Sequence, residues 1–258
     1  MKRILGLFLV AAMCLSLCAC GQSKAAKTVE EAIEAIGEVS IDSNETIANA
    51  TKLYDILTDS EKSELPLETR LALLDAQAEF EHLRGEVVYK NAKEAYEKLK
   101  EVESLCVTGM DAIYGAWYFG IYEADDGYSF YSMAADVPGI SGDELEAAAS
   151  TLGLSYSSVE RDWQNALYIV EQVLTTRGDY DTISKNMTEA EKILQSLTEE
   201  YDDYTYYPKL KDYFAAVAAY VEFYKAPSGS FQQLKDTINN YENGIRTLSS
   251  DVGFLFTK

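Results

Sequence analysis

Apolar residues recur along most of this chain at steps of three and four, the spacing that gathers side chains on one face of an α-helix. Val29, Ile33 and Ile36 form a first short stripe, and Gly37 follows it. Ile47, Ala50, Tyr54 and Leu57 form a second, with Asp42 or Ser43 placed to cap it. Leu67, Leu71, Leu74 and Ala78 form a third, read here as the packing face of a helix that begins near Leu67. Ala92, Tyr96, Leu99, Val102, Cys106, Met110, Ile113, Trp117 and Ile121 form a long one. No proline interrupts residues 67–122, so the third helix can run into this one as a single rod with Gly85 as its weakest point. Later stripes are Trp163, Leu167, Val170 and Leu174; then Ile183, Met187, Ala190, Leu194, Leu197, Tyr201 and Tyr204; then Leu210, Phe214, Val217, Val221 and Tyr224. The last runs Phe231, Leu234, Ile238, Tyr241, Ile245, Leu248, Val252 and Leu255. Heptad-like spacing in the second and fourth of these predicts near-parallel packing between neighbours.

Start and stop signals agree with the stripes. Thr28-x-x-Glu31, Thr58-x-x-Glu61, Ser141-x-x-Glu144 and Ser157-x-x-Glu160 have the form of capping boxes. Pro66 closes the short turn begun by the Thr58 box, Pro208 marks a helix start, and Gly178 and the Ala-Pro-Ser-Gly-Ser stretch at 226–230 mark stops. No strand-type alternation of useful length is present. The expectation is an all-α fold: a small three-helix N-terminal module over residues 28–88, continuing into an elongated up-and-down helical bundle over 89–258. Residues 123–141 break the periodicity and form a long connection inside the bundle. Connections of that length in compact domains are commonly functional or disordered.

The front end follows a different rule. Lys2 and Arg3 precede an apolar run over residues 4–17. That run has the length of an export-signal core and is shorter than the roughly 20 residues a spanning helix needs. It ends in Leu17-Cys18-Ala19-Cys20, which resembles the bacterial lipobox. The resemblance implies cleavage after Ala19 and a diacylglyceryl group on the Cys20 thiol, with palmitate-type acyl chains. Residues 1–19 are then a signal peptide and 20–27 a lipidated tether, and the protein sits on the outer face of the bacterial cytoplasmic membrane. An ordinary cleaved export signal with Cys20 unmodified is the alternative. One acyl chain gives marginal binding, whereas two anchor stably.

Charge narrows the partners. The 258 residues carry a net charge of −21, and loss of Lys2 and Arg3 makes the remainder more acidic still. With no basic cluster, nucleic acid is excluded as a partner, and electrostatic adhesion to anionic lipid is disfavoured. Past Cys20 only Cys106 remains, so no internal disulfide can form there and stability must come from the packed core.

Residues 29–83 resemble a small helical repeat module of Gram-positive surface proteins. The likeness is carried by the Ala-Ile…Ile-Gly-Glu-Val opening, the Ile41-Asp42-Ser43 turn, Tyr54, and Leu57-Thr58-Asp59-Ser60-Glu61-Lys62. It implies an accessory or spacer role. The C-terminal half, especially residues 221–254, is similar to uncharacterised exported helical proteins, which implies a fold and no activity.

Motifs that carry chemistry are scarce. The chain lacks nucleophile-elbow, phosphate-loop, dinucleotide and zinc-protease motifs, and no cofactor or metal is expected. His82, the only histidine, stands in a single Glu79-x-x-His82, where a di-metal bundle needs two such motifs and further carboxylates. Cys106 lies in an apolar stripe without a neighbouring cation and reads as a buried small hydrophobe. The informative excess is aromatic: 19 Tyr, 9 Phe and 2 Trp, crowded at 117–122, 128–131 and 201–207. Trp117 reads as core, as do Tyr213 and Tyr220 or their neighbours. Tyr128 and Tyr131, with Asp125 and Asp126 beside them, form the candidate recognition loop: flat apolar rings with polar tips, next to hydrogen-bond acceptors. The expected function is a non-catalytic binding or structural module, lipid-anchored and extracytoplasmic, that contacts a protein, peptide or glycan of the cell envelope. The rivals are a ligand-sensing bundle coupled to a membrane partner, and a carboxylate-dependent glycan-active enzyme using two buried acids.

Overall fold

A computed structural model describes residues 22–122, 139–155, 158–159, 162, 164–201 and 206–257, with side-chain placements for 198–201 excepted. Among these residues the chain forms nine α-helices and no strand, as the three- and four-residue spacing predicts. The helices gather into two compact units, and the boundary falls between Val87 and Val88.

The first unit contains α1 (Lys24–Glu34), α2 (Asn44–Asp55), α3 (Asp59–Glu64) and the opening of α4 (Leu67–Tyr122). Ala26, Val29, Ile33, Ile36, Ile47, Ala50, Leu57 and Leu65 fill its core. Helix α1 begins earlier than the Thr28 box suggests. Ser23 is its N-cap, accepting from the Ala26 amide, and the Thr28 hydroxyl donates back to the Lys24 carbonyl inside the helix. The expected tether over 20–27 is therefore helical from Lys24. Helix α2 is preceded by a short 3-10 turn, Ile41–Ser43, capped by Ser40 rather than by Asp42 or Ser43. The Thr58/Glu61 box forms as expected, with both reciprocal bonds made.

Helix α4 carries the largest correction. Leu71, Leu74 and Ala78 were expected to pack, yet Leu67, Leu71 and Leu74 are 60, 47 and 58% exposed, and Ala78 is exposed too. The buried face is Leu73, Ala76 and Phe80. Two constraints select it. Leu65, 2% exposed, enters the core just before Pro66, and Gln77 Nε2 donates to Thr51 Oγ1 on α2 at 2.7 Å. Phe80 also hides far more apolar area than Ala78 could. The helix then continues without a break through Gly85 to Tyr122.

The second unit contains the rest of α4 with α5 (Gly142–Leu152), α6 (Gln164–Arg177), α7 (Asp179–Tyr201), α8 (Tyr206–Lys225), α9 (Phe231–Gly253) and a terminal 3-10 turn, Phe254–Phe256. Each of α5 to α9 packs on its successor, the up-and-down order expected from short connections. The Ser141/Glu144 box caps α5, and Gly178, at φ +77°, separates α6 from α7. Ser157 and Glu160 of the fourth predicted box lie outside the described residues; the long helix there begins at Gln164, whose amide is accepted by the Asp162 carboxylate. The predicted α4 stripe is buried from Ala92 to Ile113, with Tyr96 and Trp117 half-buried. Ile121, the last member, is instead 45% exposed, and Phe119 takes the inward place.

Helix α8 supplies three fully buried rings: Tyr213, Tyr220 and Tyr224. The hydroxyls of Tyr213 and Tyr220 reach different helices, and that of Tyr224 is buried without a hydrogen-bond partner among the described residues. Tyr213 donates to Glu103 of α4 at 2.5 Å, and Tyr220 donates to Glu242 of α9 at 3.2 Å. Tyr224 stacks on Tyr180 of α7 with ring centroids 5.3 Å apart. A Cβ on Gly109 of α4 would lie 2.4 Å from the Tyr224 hydroxyl, so this close approach of α4 and α8 requires glycine.

The corrected face of α4 is testable by truncation. Leu73→Ala should cost the first unit about 2–4 kcal/mol, as for other buried leucines, whereas Leu74→Ala should stay within about 0.5 kcal/mol. Amide exchange of α1 and α2 across a denaturant series would measure both, and equal losses would contradict the assignment.

Candidate functional site

The sequence-predicted site residues Ala19, Cys20, Asp125, Asp126, Tyr128 and Tyr131 all lie outside the described residues. The structure does describe both flanks of the aromatic connection. Its leading flank is the end of α4. Tyr114, Tyr118 and Tyr122 follow one another at steps of four, so a single helix places them in a row. Phe231, first residue of α9, completes the group. Tyr114 stacks on Phe231 with centroids 4.8 Å apart, and Tyr118 and Tyr122 lie 6.0 and 5.7 Å from the same ring. Tyr118 and Tyr122 are themselves 5.0 Å apart.

This cluster is only partly hidden. Tyr114 and Phe231 are half-buried, while Tyr118 and Tyr122 are 43 and 55% exposed. Exposed Ile121 stands beside them. The Ser230 cap fixes Phe231: its hydroxyl accepts from the Gln233 amide, and the Gln233 side chain accepts from the Ser230 amide at 2.8 Å. The result is a supported aromatic face whose outer rings meet solvent, with phenol tips able to donate or accept hydrogen bonds.

Carboxylates lie a few turns inward. Burial pushes the Asp111 carboxyl above the ordinary carboxylate range. Burial also raises Glu242; the Asp111 charge adds to the rise, while the Tyr220 hydroxyl and Arg246 oppose it. Neither carboxyl lines the cleft between α5 and α6 or the cleft beside α1 in the first unit.

The trailing flank of the connection is fastened separately. The Arg177 guanidinium, at the end of α6, donates to the Gly139 carbonyl and to both Glu144 oxygens, the latter at 2.7 and 2.9 Å. A Cβ on Gly139, which has φ +87°, would lie 2.5 Å from the Thr108 methyl group of α4. The chain thus leaves α4 at Tyr122 and returns against Thr108, about 21 Å back along the helix axis. A small cleft of about 160 Å³ lies between α5 and α6, lined by Glu144, Ala148, Thr151, Val173 and Arg177 among others.

Other sequence candidates take plain structural places. Cys106 is fully buried and free, and burial pushes its thiol up to about 12, with Lys225 opposing the rise. His82 is exposed and lies 3.6 Å from Glu86. Among the described residues no cluster of His, Cys, Asp and Glu could hold a metal ion, and no helix is long and apolar enough to cross a membrane. Sequence reasoning singled out the crowd at 117–122 but missed Phe231. The spacing of Tyr114, Tyr118 and Tyr122 was the available signal for the row; nothing local ties it to a residue on a much later helix.

Comparison with protein-family models, with curated proteins and with solved structures finds no match for this chain.

The Arg177–Glu144 pair makes a pH prediction. Arg177, with the Ser141 cap assisting against a burial cost, holds the Glu144 carboxyl at about 2. A depressed carboxyl stabilises the fold above its unfolded value and loses that contribution as pH falls through its folded value. The stability difference between the native protein and Glu144→Gln should therefore be complete above about pH 4.5 and fade toward pH 2. Because the pair is partly exposed, the difference should be about 1 kcal/mol or less. Thermal melts at a series of pH values would measure it; a difference that grows on acidification would contradict the pairing.

Proposed function

We propose that this protein is a lipid-anchored, extracytoplasmic, non-catalytic binding module at the outer face of the cell membrane. In this reading Cys20 carries the diacylglyceryl anchor after cleavage behind Ala19. The aromatic face of Tyr114, Tyr118, Tyr122 and Phe231 contacts a peptide, protein or glycan of the envelope. The single observation that carries the binding half is this exposed cluster. A bundle that already hides Tyr213, Tyr220 and Tyr224 leaves two tyrosines packed, tilted and edge-on, around Phe231 at the surface. Exposed rings in a row offer a flat apolar platform with polar edges, which suits sugar faces and extended peptides. Asp125, Asp126, Tyr128 and Tyr131, the recognition residues read from the sequence, follow Tyr122 closely in the chain. Acidity fits a neutral or basic partner and disfavours nucleic acid. The carboxylate-enzyme reading draws on one observation, the raised Asp111 and Glu242 carboxyls.

Two experiments test the two halves. In the first, the mature protein is sedimented with purified cell-wall glycan carrying its stem peptides, beside Tyr118→Ala/Tyr122→Ala. The variant should lose about tenfold or more in retention, as expected for two aromatic contacts at roughly 1 kcal/mol each, while its melting temperature changes little. Equal retention would remove the aromatic face from the proposal. In the second, Cys20→Ala should abolish incorporation of labelled palmitate and release the protein from the membrane fraction or leave the precursor uncut. Unchanged labelling would place the lipid elsewhere.

A further inference from the structure

The first unit presents a row of leucines that the fold leaves bare. Leu67, Leu71 and Leu74 are 60, 47 and 58% exposed, and exposed Ala78 continues the row. Rotating α4 to hide them would unbury Leu73, Ala76 and Phe80, at 2, 7 and 8% exposed. The row is therefore fixed outward by the packing behind it.

Its size argues about its partner. Three half-exposed leucines and an alanine offer on the order of 300 Å² of apolar surface, well short of the roughly 800 Å² per side of a stable dimer. A second copy meeting it in free solution would gain too little to stay. A surface to which the chain is already attached is different, because attachment raises the effective concentration and a weak contact then persists.

The geometry near the N-terminus supplies that surface. The Ser23 backbone amide donates to a Glu64 carboxylate oxygen at 2.6 Å, so the start of α1 is tied to the residue three places before Leu67. Cys20 lies three residues before Ser23, no more than about 11 Å of extended chain away. An acylated Cys20 thus keeps the bilayer close to the first turns of α4. We infer that the Leu67, Leu71 and Leu74 face rests on the bilayer surface, with these side chains in the boundary between headgroups and acyl chains. The inference depends on the acylation of Cys20 proposed above. Glu61, Glu64, Glu68 and Asp75 outnumber Lys62 and Arg70 on or beside the same segment, so uncharged headgroups are favoured and anionic ones oppose the contact. The stripe orients the protein on the membrane, and the anchor holds it there.

The test uses the full acylated protein in phosphatidylcholine vesicles, with an environment-sensitive fluorophore on Leu71→Cys or, as the distal control, on Glu34→Cys. Glu34 is exposed at the far end of α1 from the tie, and buried Cys106 stays unlabelled in the folded state. In protein that floats with the vesicles, a shallow nitroxide lipid should quench the position-71 probe at least about threefold more than the position-34 probe. Replacing part of the lipid with phosphatidylglycerol should reduce that excess. Equal quenching at both positions in floating protein would overturn the docking and leave the anchor standing. Failure to float would overturn the anchor, and the docking with it. A position-71 signal that rises with protein concentration and accompanies cross-links between copies would overturn the docking by assigning the face to a second chain. Leu67→Gln/Leu71→Gln/Leu74→Gln, probed at position 34, should float as before, which separates orientation from attachment.

Discussion

Burying a phenol obliges the fold to find a place for its hydroxyl, and helix α8 does this for two of the three rings it buries along one face, leaving the Tyr224 hydroxyl without a hydrogen-bond partner among the described residues. Each ring contributes a large apolar area, and each polar tip would cost on the order of 1–3 kcal/mol if left without compensation. Tyr213 reaches Glu103 on α4, Tyr220 reaches Glu242 on α9, and Tyr224 stacks on Tyr180 of α7. One helix therefore specifies its position against three others through direction-dependent contacts, which a purely aliphatic stripe would not do. Burial drives all three phenols above their ordinary range. Gly109 completes the arrangement by letting α4 approach the Tyr224 ring.

The same helix α4 that receives these tyrosines also carries the exposed aromatic row. Its inward face from Ala92 to Phe119 is consumed by the core, and its Tyr114, Tyr118 and Tyr122 row meets Phe231 at the edge. The rigidity of the row comes from being on a packed helix rather than on a connection. A recognition surface built this way loses little side-chain freedom when it meets a partner. Both ends of the adjoining connection are fixed, one by helix continuity at Tyr122 and one by Arg177 and Thr108 at Gly139.

Much of the fold was legible because helical period, caps and breakers agreed. The Thr58/Glu61 and Ser141/Glu144 boxes form as written, and Gly178 stops α6. What escaped reading depended on distant partners. The Thr28 box is overruled by Ser23, whose amide is held by Glu64, 41 positions away. The leucine stripe of α4 has a sound period, but a second stripe, Leu73, Ala76 and Phe80, competes for the core on the same stretch. Leu65, the Gln77–Thr51 bond and the larger ring of Phe80 decide between them. The burial of Tyr213 and Tyr220 was foreseeable from their place near an apolar stripe; their acceptors were not, since periodicity carries no information about which helix lies opposite. For the site, composition pointed to aromatic residues in the right region, and the supporting ring, Phe231, belonged to a helix that begins far along the chain.

Phe256 sits among Tyr89, Tyr96 and Tyr206, at 5.6, 5.5 and 5.7 Å between centroids, and Gly253 allows the chain to pass close to the Tyr96 hydroxyl. The turn that follows α9 is thus part of the packing that closes the second unit around the middle of α4. The described core of the first unit is complete by Phe80, whereas the second lacks this closing ring until Phe256 is in place. A chain cut short before Phe254 would leave the Tyr89 and Tyr96 rings without this cover while the first unit keeps its whole described core.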